Sequence, residues 1–535
     1  MRYLSGPISK FGLEDLLARD HTLNAGVVQG LQGSIIEVQA RAMTVFKKPR
    51  EWSDAVYITG LARNATAESV SRIQGAFAKL RIPNPQVEIR INLAPADVPK
   101  ESSSLDLAIA IVMLQASGYL PDLPEAIEGD YVLVGEVGLH GELRRVRGVL
   151  SIAEAASPHQ TLIVPIGNEK ECAIISLKEN RKACQVAAVG TLQEVIEFFA
   201  GERRLENVVS RRPTVNSAVP RAPDFAVIKG QRQAKEAAVI AAAGGHNLLL
   251  IGPPGEGKSL LAHATAGILP PLSPDEIVEL TRIYSAAGAI ANDGAIVNRR
   301  PFRAVHPTAS KQSLVGGGSY ALQPGEITLA HLGILFLDEL PEFRRDALES
   351  LRQPMEDGVV TVTRVKARAT FPARFTLIAA MNPCPCGYYG TAQCRCTERE
   401  VASYQARISG PLLDRIDLKV EMDRLTVDER FSQEAGPGSK ELRERVVNAR
   451  KRQTERFAGM EIPFNAAIPP GRIRELCQFS PRGFETYKRV VAESSISTRT
   501  TDRLAKVART VADLEGSDSI EPPHVEKAVQ FVFVL

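Results

Sequence analysis

The chain has 535 residues, enough for about three or four domains, and its 24% charged and 44% apolar residues are typical of a water-soluble globular protein. The net charge of +3 is too small to predict nucleic-acid binding by itself, so any basic surface has to be local. No apolar run approaches the roughly 20 residues of a membrane span, and the first residues, MRYLSGPISKFGLEDLLARD, lack the long apolar stretch of a secretion signal.

In chain order, the composition divides the sequence into three regions and a linker. Residues 1–200 mix strand patterns such as QVEIRINLA with helical patterns such as LDLAIAIVMLQASGYL. Residues 201–223 are rich in Arg, Pro, Ser and Asn without a sustained period, which predicts a linker. Residues 224–430 alternate strands and helices and predict an α/β domain. Residues 431–535 begin with the irregular stretch FSQEAGPGSK and continue as charged helices.

The segment NLLLIGPPGEGKSLLAHATAG predicts a strand, a phosphate-binding loop and a helix. The loop fits G-x-x-x-x-G-K-[ST] with Gly252, Pro253, Pro254, Gly255, Glu256, Gly257, Lys258 and Ser259. Its backbone N–H groups can surround phosphates, Lys258 can reach the β- and γ-phosphates of ATP, and the Ser259 hydroxyl can bind Mg²⁺. A chance glycine-rich turn is the alternative, and the flanking strand and helix argue against it.

Two further strands carry polar residues at their carboxyl ends. The apolar run 333–337 is followed by Asp338 and Glu339, and RFTLIAAMN ends at Asn382. We expect Asp338 to hold Mg²⁺ through water, Glu339 to polarise the attacking water and Asn382 to orient it. Alone, each of these residues is more often structural. Together with the loop, they predict a site for ATP hydrolysis.

The stretches GPPGEGKS, GILFLDELPEF, AAMNPCPCGYYG and SGPLLDRIDL together resemble the magnesium-chelatase-like ComM/YifB family of AAA+ ATPases, and the resemblance covers nearly the whole chain. It implies an α/β AAA+ P-loop core at 224–430 with a helical lid at 431–535. It also implies an α+β domain at 1–200 similar to the Lon protease and to ribosomal S5 domain 2. Ser104 lies near the Lon nucleophile, but the partner lysine is missing, so we expect no proteolysis.

The resemblance also assigns roles to three arginines. Arg415 in SGPLLDRIDL matches the arginine finger, which completes the active site of a neighbouring subunit and so implies a ring, expected to be a hexamer. A surface ion pair of Arg415 with Asp414 or Asp417 is the alternative. In STRTTDRLAKVART, Arg499 is the first choice for the second sensor and Arg503 the reserve.

The stretch MEDGVVTVTRVKARATFPARF predicts a basic hairpin. Its period of two places Arg364, Lys366 and Arg368 on one face of a strand. An ordinary solvated face is the alternative. In related AAA+ rings a hairpin at this place projects into the central pore, where three cations would bind DNA phosphates without reading bases. The segment SLVGGGSYALQPGEITLAH resembles a second pore loop.

Four of the seven cysteines lie directly behind Asn382, at Cys384, Cys386, Cys394 and Cys396. Four thiolates within 13 residues predict a closed, structural Zn²⁺ site at 384–396. An iron–sulfur cluster and a redox pair are the alternatives. We expect loss of the metal to weaken the ring or its DNA contacts rather than the hydrolytic chemistry.

The resemblance implies an ATP-dependent hexameric DNA translocase that promotes branch migration in homologous recombination and in natural transformation. Its expected cofactors are ATP, Mg²⁺ and structural Zn²⁺, and its expected partners are branched or single-stranded DNA and further copies of the chain. The expected location is the cytoplasm, since few and clustered cysteines suit a reducing compartment. The alternative function is a magnesium-chelatase-like ATPase that remodels a protein partner.

Overall fold

The computed structural model describes residues 13–44, 49–60, 63–95, 103–121, 130–177, 184–207, 219–290, 296–317, 322–364, 367–426, 428–429, 436–494 and 497–533. Within these ranges, no helix combines the length and the apolar character needed to cross a membrane.

The amino-terminal domain is a mixed sheet with helices packed against it. Its strands are β1 Asp20–Gln29, β2 Gln32–Met43, β3 Val56–Thr59, β4 Glu88–Ala94, β5 Tyr131–Leu133, β6 Glu136–Val137, β7 Leu143–Arg144, β8 Thr161–Pro165 and β9 Gln185–Val189. Its helices are α1 Leu13–Leu17, α2 Trp52–Ala55, α3 Arg63–Lys79, α4 Asp106–Ala116, α5 Val149–Ala155, α6 Glu169–Ala173 and α7 Leu192–Phe199. The main sheet has the order β3-β4-β2-β1-β5-β8-β9. Helix α4 is apolar on all sides and every one of its residues is buried, as expected for a central helix.

The middle domain is built on a parallel sheet. Its strands are β10 Leu248–Ile251, β11 Phe302–Val305, β12 Gly316–Gly317, β13 Gln323–Pro324, β14 Ile334–Leu337, β15 Val359–Arg364, β16 Ala367–Pro372, β17 Thr376–Met381 and β18 Leu418–Glu421. Its helices are α8 Arg232–Gly244, α9 Lys258–Ile268, α10 Pro274–Ala286, α11 Lys311–Val315, α12 Glu326–Leu329, α13 Arg345–Glu349, α14 Arg352–Asp357, α15 Glu398–Gln405 and α16 Gly410–Leu413.

Five of these strands form the central sheet in the order β11-β14-β17-β10-β18, and all neighbours are parallel. The strand β17 therefore lies between β10, which leads into the phosphate-binding loop, and β14, which leads into Asp338. Because parallel strands end at the same edge, the three predicted polar ends meet there. The predicted strands at 247–252, 333–337 and 374–382 are confirmed within two residues at each end.

The carboxyl-terminal helices are α17 Ser439–Arg456, α18 Ile473–Cys477, α19 Pro481–Ser494, α20 Thr498–Leu514 and α21 Pro522–Val532. They share one hydrophobic core with the middle domain. In that core, side chains such as Val446 and Leu504 belong to the same buried cluster as Ile240 and Leu250. The predicted carboxyl-terminal helices are therefore packed against the middle domain.

The amino-terminal domain contacts the middle domain mainly through α10. The Gly148 N–H donates to the Ser285 hydroxyl at 3.0 Å, and Arg282 pairs with Glu154 at 3.1 Å. The turn between β1 and β2 reaches further, because Leu31 packs against the hydrophobic cluster that includes Phe371 of β16. One end of the amino-terminal sheet therefore rests on the base of the β15–β16 hairpin.

Candidate functional site

The phosphate-binding loop surrounds the amino group of Lys258. Gly255 and Gly257 have φ of +86° and +88°, a conformation that a side chain would strain, and the loop turns tightly between β10 and α9 at these positions. Lys258 Nζ donates to the carbonyl oxygens of Gly252 at 2.5 Å and Pro253 at 2.8 Å. Burial lowers the pKa of Lys258, and the neighbouring carboxylate of Asp338 offsets part of this effect.

The other predicted residues of the site lie beside this lysine. Asn382 Oδ1 accepts a hydrogen bond from Lys258 Nζ at 3.1 Å, and the Ser259 hydroxyl donates to Asp338 Oδ2 at 2.7 Å. The Glu339 N–H donates to Asp338 Oδ1 at 2.9 Å, and Glu339 has φ of +50°, uncommon for a residue with a side chain. The fold thus gathers residues separated by more than 120 positions in the chain.

The donor set fits Mg²⁺ and a nucleoside triphosphate. The hydroxyl of Ser259 and the carboxylate of Asp338 are hard oxygen ligands that lie within hydrogen-bond distance of each other, so one small cation could be held between them, directly or through water. Lys258 and the loop N–H groups supply positive charge to phosphate oxygens. Glu339 supplies a carboxylate at the same strand end.

An apolar surface next to this loop was not predicted from the sequence. Glu256 Oε2 accepts the Leu425 N–H at 3.2 Å, and Gly230 lies so close to Leu425 that an added Cβ would be 2.5 Å from Leu425 Cδ2. On the same segment as Gly230, Val227 is a large apolar side chain with 56% of its surface exposed. The contact of this segment with Leu425 joins residues about 195 positions apart, which no local pattern indicates. These residues offer an apolar surface that a nucleotide base could contact.

The four clustered cysteines converge as the sequence predicted. Their sulfur atoms all lie within 4.8 Å of one another, with Cys384 Sγ 3.3 Å from Cys386 Sγ and 3.9 Å from Cys394 Sγ. Tetrahedral Zn²⁺ with Zn–S bonds of about 2.3 Å requires S···S distances of about 3.8 Å. The Arg395 N–H lowers the pKa of Cys386, whereas the neighbouring sulfur atoms raise the pKa of Cys394 and Cys396, so the four thiols share their protons as one cluster. The donor set therefore fits Zn²⁺.

The cysteine loop touches the phosphate-binding loop. A Cβ on Gly387 would lie 2.7 Å from Pro254 Cδ, and Cys384 follows Asn382 by two residues. On its other side, Arg424 stacks over the Tyr388 ring at 4.7 Å. The cysteine loop therefore lies next to Pro254 and continues directly from Asn382, and the expected effect of metal loss on the ring rather than on hydrolysis stays a prediction.

The predicted arginine finger lies at the opposite edge of the sheet. Arg415 precedes β18, and its carbonyl accepts a hydrogen bond at 2.9 Å from Asn247, the residue before β10. The full length of these four-residue strands, about 13 Å, separates this edge from the phosphate-binding loop. The Arg415 guanidinium forms an ion pair within its own chain, as the alternative to the finger role predicted, but its partner is Glu356 rather than Asp414 or Asp417. Arg415 therefore does not contribute to the nucleotide site of its own chain.

The two candidates for the second sensor differ in their surroundings. Arg503 is 6% exposed, donates to the Asp414 carbonyl at 2.5 Å and lies 3.8 Å from Asp417 Oδ1. It thus joins lid helix α20 to the segment that carries Arg415. Arg499 is 61% exposed and approaches Glu356 at 3.7 Å. The structure leaves Arg499 accessible to a ligand, whereas Arg503 is engaged within the chain.

The basic hairpin exists, but its cations do not share one strand. The strands β15 and β16 are antiparallel, with Arg364 opposite Ala367 and Thr363 opposite Arg368. The prediction that the three cations lie on one face of one strand is therefore wrong, because β15 ends at Arg364 and the antiparallel β16 begins at Ala367. Arg368 is exposed on β16. Lys366 and the side chain of Arg364 lie outside the described part of the chain.

Two predictions concern other parts of the molecule. Ser104 is buried and its hydroxyl donates to the Gly26 carbonyl at 2.9 Å, so it is not presented to a substrate. The segment that resembles a second pore loop forms α11, the two-stranded pair β12–β13 and α12, and residues 318–321 between the two strands lie outside the described part.

The parallel sheet and the cluster at its carboxyl edge are together typical of AAA+ P-loop ATPases. The family model described as magnesium chelatase, subunit ChlI matches residues 224–430, a second ChlI model matches 49–168, and the ChlI C-terminal model matches 436–532. The chain belongs to the magnesium-chelatase-like ComM/YifB family.

Two relatives in this family match over most of their length, and a more distant protein matches over a smaller part of its length. Uncharacterized protein YifB of Escherichia coli is 41% identical over 479 residues, which are 89% of this chain and 90% of the relative. Competence protein ComM of Haemophilus influenzae is 37% identical over 500 residues, 92% of this chain and 95% of the relative. The minichromosome maintenance protein MCM of Saccharolobus solfataricus is 23% identical over 307 residues, 54% of this chain and 39% of the relative.

Proposed function

We propose that this protein is an ATP-driven DNA motor that works as a hexameric ring. It would promote branch migration in homologous recombination, including the integration of incoming DNA during natural transformation. The proposed ATP hydrolysis is supported by one observation, the cluster at one sheet edge of Lys258, Ser259, Asp338, Glu339 and Asn382. The proposed action on DNA is supported by the name of the relative ComM, a competence protein.

The site residues divide the work of phosphoryl transfer. Lys258 neutralises phosphate charge, and Ser259 and Asp338 would hold Mg²⁺, which would supply positive charge to the phosphates. Glu339 accepts a proton from the attacking water, and Asn382 fixes the orientation of that water through its amide. The apolar surface at Val227 and Leu425 contacts the adenine base. Glu256 keeps this surface in place through its hydrogen bond to the Leu425 N–H.

The arginines act between subunits. Arg415 lies at the sheet edge opposite to the phosphate-binding loop, and Arg499 approaches the same carboxylate as Arg415, which supports a role for both at the nucleotide of a neighbouring copy. A guanidinium suits this role because it is planar and always protonated. A closed ring gives each nucleotide site one such pair, which is the basis for proposing an oligomer.

The remaining parts have supporting roles. The β15–β16 hairpin binds DNA phosphates in the pore through Arg364, Lys366 and Arg368, without reading sequence. Zn²⁺ at the four cysteines braces the loop beside Pro254 and Asn382. The amino-terminal domain is a non-proteolytic Lon-like module that supports the hairpin base through Leu31. The location that fits free thiols and a DNA substrate is the cytoplasm.

DNA stimulation of ATP hydrolysis tests this function. We expect wild-type protein to hydrolyse ATP faster when single-stranded or branched DNA is added. Replacing Arg364, Lys366 and Arg368 by Ala should remove most of that stimulation, since each lost phosphate contact weakens DNA binding, while hydrolysis without DNA persists. The matched control replaces the exposed cations Arg482, Lys488 and Arg489 of α19 by Ala. If the hairpin variant lost ATP hydrolysis equally with and without DNA, the hairpin would have a folding role, and this result would contradict the proposal.

A further inference from the structure

Two arginines from different parts of the chain converge on one carboxylate, that of Glu356. Glu356 Oε1 accepts a hydrogen bond from Arg415 Nη2 and lies 3.7 Å from Arg499 Nη2. Arg415 comes from the segment before β18 and Arg499 from the first turn of α20. The carboxylate is 49% exposed, so it stands at the rim of the molecule, accessible to exchange with another anion.

The Arg415 guanidinium is held in this direction by its surroundings. Its Nη1 donates to the Pro411 carbonyl at 2.6 Å, and its carbonyl is fixed by Asn247. Its Nε is buried and has no acceptor among the described residues. Of the guanidinium nitrogens, Nη2 is therefore the one aimed at Glu356. Arg499, by contrast, is mostly exposed, so the Glu356 carboxylate is what draws the two guanidinium groups together.

The carboxylate is directly connected to the basic hairpin. Glu356 lies in the last turn of α14, which ends at Asp357, and β15 begins two residues later at Val359. Between them, the Gly358 carbonyl accepts the Ala373 N–H at 2.7 Å, and Ala373 directly follows β16. Both strands of the hairpin are thus tied to the end of α14. Only a few residues therefore separate the hairpin from Glu356, so a displacement of the hairpin would reach Glu356 directly through the end of α14.

We propose that Glu356 is a positioning residue that restrains Arg415 and Arg499 until DNA moves the hairpin. A carboxylate and a phosphate oxygen compete for the same guanidinium donors, so pairing with Glu356 withholds both arginines from the nucleotide of the neighbouring subunit. DNA on the hairpin shifts α14, releases the pair and so accelerates hydrolysis. This inference rests on the proposed function, because it assumes a ring and a DNA-binding hairpin.

The test replaces Glu356 by Gln, which keeps the shape of the side chain and removes its charge. The rate of ATP hydrolysis without DNA should rise by about fivefold or more, which is the scale of a typical coupling between sites. The ratio of the rates with and without DNA should fall towards one. Asp357→Asn is the matched control, because it removes an exposed carboxylate from the adjacent position of the same helix. Unchanged rates in Glu356→Gln, or a similar rise in Asp357→Asn, would overturn the inference.

A double substitution separates a positioning role from a purely structural one. If Glu356 acts through the finger, adding Glu356→Gln to Arg415→Ala should leave the rate of Arg415→Ala unchanged, because neighbours in one network are not additive. Independent effects of the two changes would overturn the inference. Glu356→Asp should restore part of the restraint. Thermal unfolding and ring assembly with ATP are measured in parallel, and a loss of rate explained by unfolding of Glu356→Gln would also count against it.

The same measurements distinguish failure of the restraint by Glu356 from failure of the proposed DNA motor. If DNA stimulates the wild type and Glu356→Gln behaves like the wild type, the restraint is wrong and the DNA motor stands. If DNA does not stimulate the wild type but Glu356→Gln still accelerates hydrolysis in a manner that requires Arg415, the restraint stands and the DNA motor is wrong.

Discussion

Glu339 is the residue on which the proposed chemistry depends most directly. Its backbone is in the left-handed region directly after β14, and its N–H is bonded to Asp338. This geometry is uncommon for a residue with a side chain and is typical of functional sites. This backbone conformation sets the direction in which the Glu339 side chain leaves the main chain relative to the phosphate-binding loop. The strained backbone is thus connected with the proposed role of the carboxylate.

We predict that Glu339→Gln binds ATP normally but hydrolyses it at least about 100-fold more slowly, because an amide cannot accept the proton of the attacking water. Nucleotide affinity and single-turnover hydrolysis are the measurements. Lys258→Ala serves as the contrasting variant, since it should lose nucleotide binding itself. Hydrolysis by Glu339→Gln at the wild-type rate would contradict the assignment.

At the scale of single residues, local motifs were predicted well and long-range partners were not. The glycine-rich loop forms where its spacing indicates, because its conformation is set within eight consecutive residues. The pairing of Arg415 with Glu356 joins residues 59 positions apart through side chains, and no period or motif reports it. The same holds for the exposure of Val227.

At the scale of elements, the alternation of residue types in the basic hairpin did not predict where its two strands are divided. The alternation of VTVTRVKARAT continues from β15 into β16, and the sequence between Arg364 and Ala367 contains no Gly, Asn or Pro to indicate a turn. The three central strands were predicted correctly because fully apolar runs ending in polar residues are typical of parallel sheets. The cysteine loop was predicted as a metal site, but its contact with Pro254 was not.

That contact leads to a prediction for metal removal. Cys384→Ser should reduce the bound zinc and weaken ATP affinity by about tenfold, a typical effect of losing support around a site, because Asn382 and Pro254 lose their brace. Zinc content and nucleotide affinity are measured on the same preparation. Cys477→Ser, which alters a buried cysteine in α18, is the control. Zinc loss with unchanged affinity would show that the loop is separate from the nucleotide site.

At the scale of the whole molecule, the domains are joined at two places that bear on function. The carboxyl-terminal helices share their core with the central parallel sheet, and Arg503 connects α20 to the segment that carries Arg415. The amino-terminal domain rests on α10 and on the hairpin base. These contacts connect the region of the phosphate-binding loop, the edge that carries Arg415 and the hairpin within one chain. The order of domains was predicted from composition, but these contacts depend on the assembled fold.

The central claim is that ATP hydrolysis moves DNA, and ATP-dependent dissociation of a labelled four-way DNA junction tests it most directly. Purified wild-type protein should separate the junction into its duplex arms only with ATP and Mg²⁺, and Lys258→Ala should not separate it. An intact junction after incubation with wild-type protein that hydrolyses ATP would contradict the claim and favour a motor that remodels a protein partner.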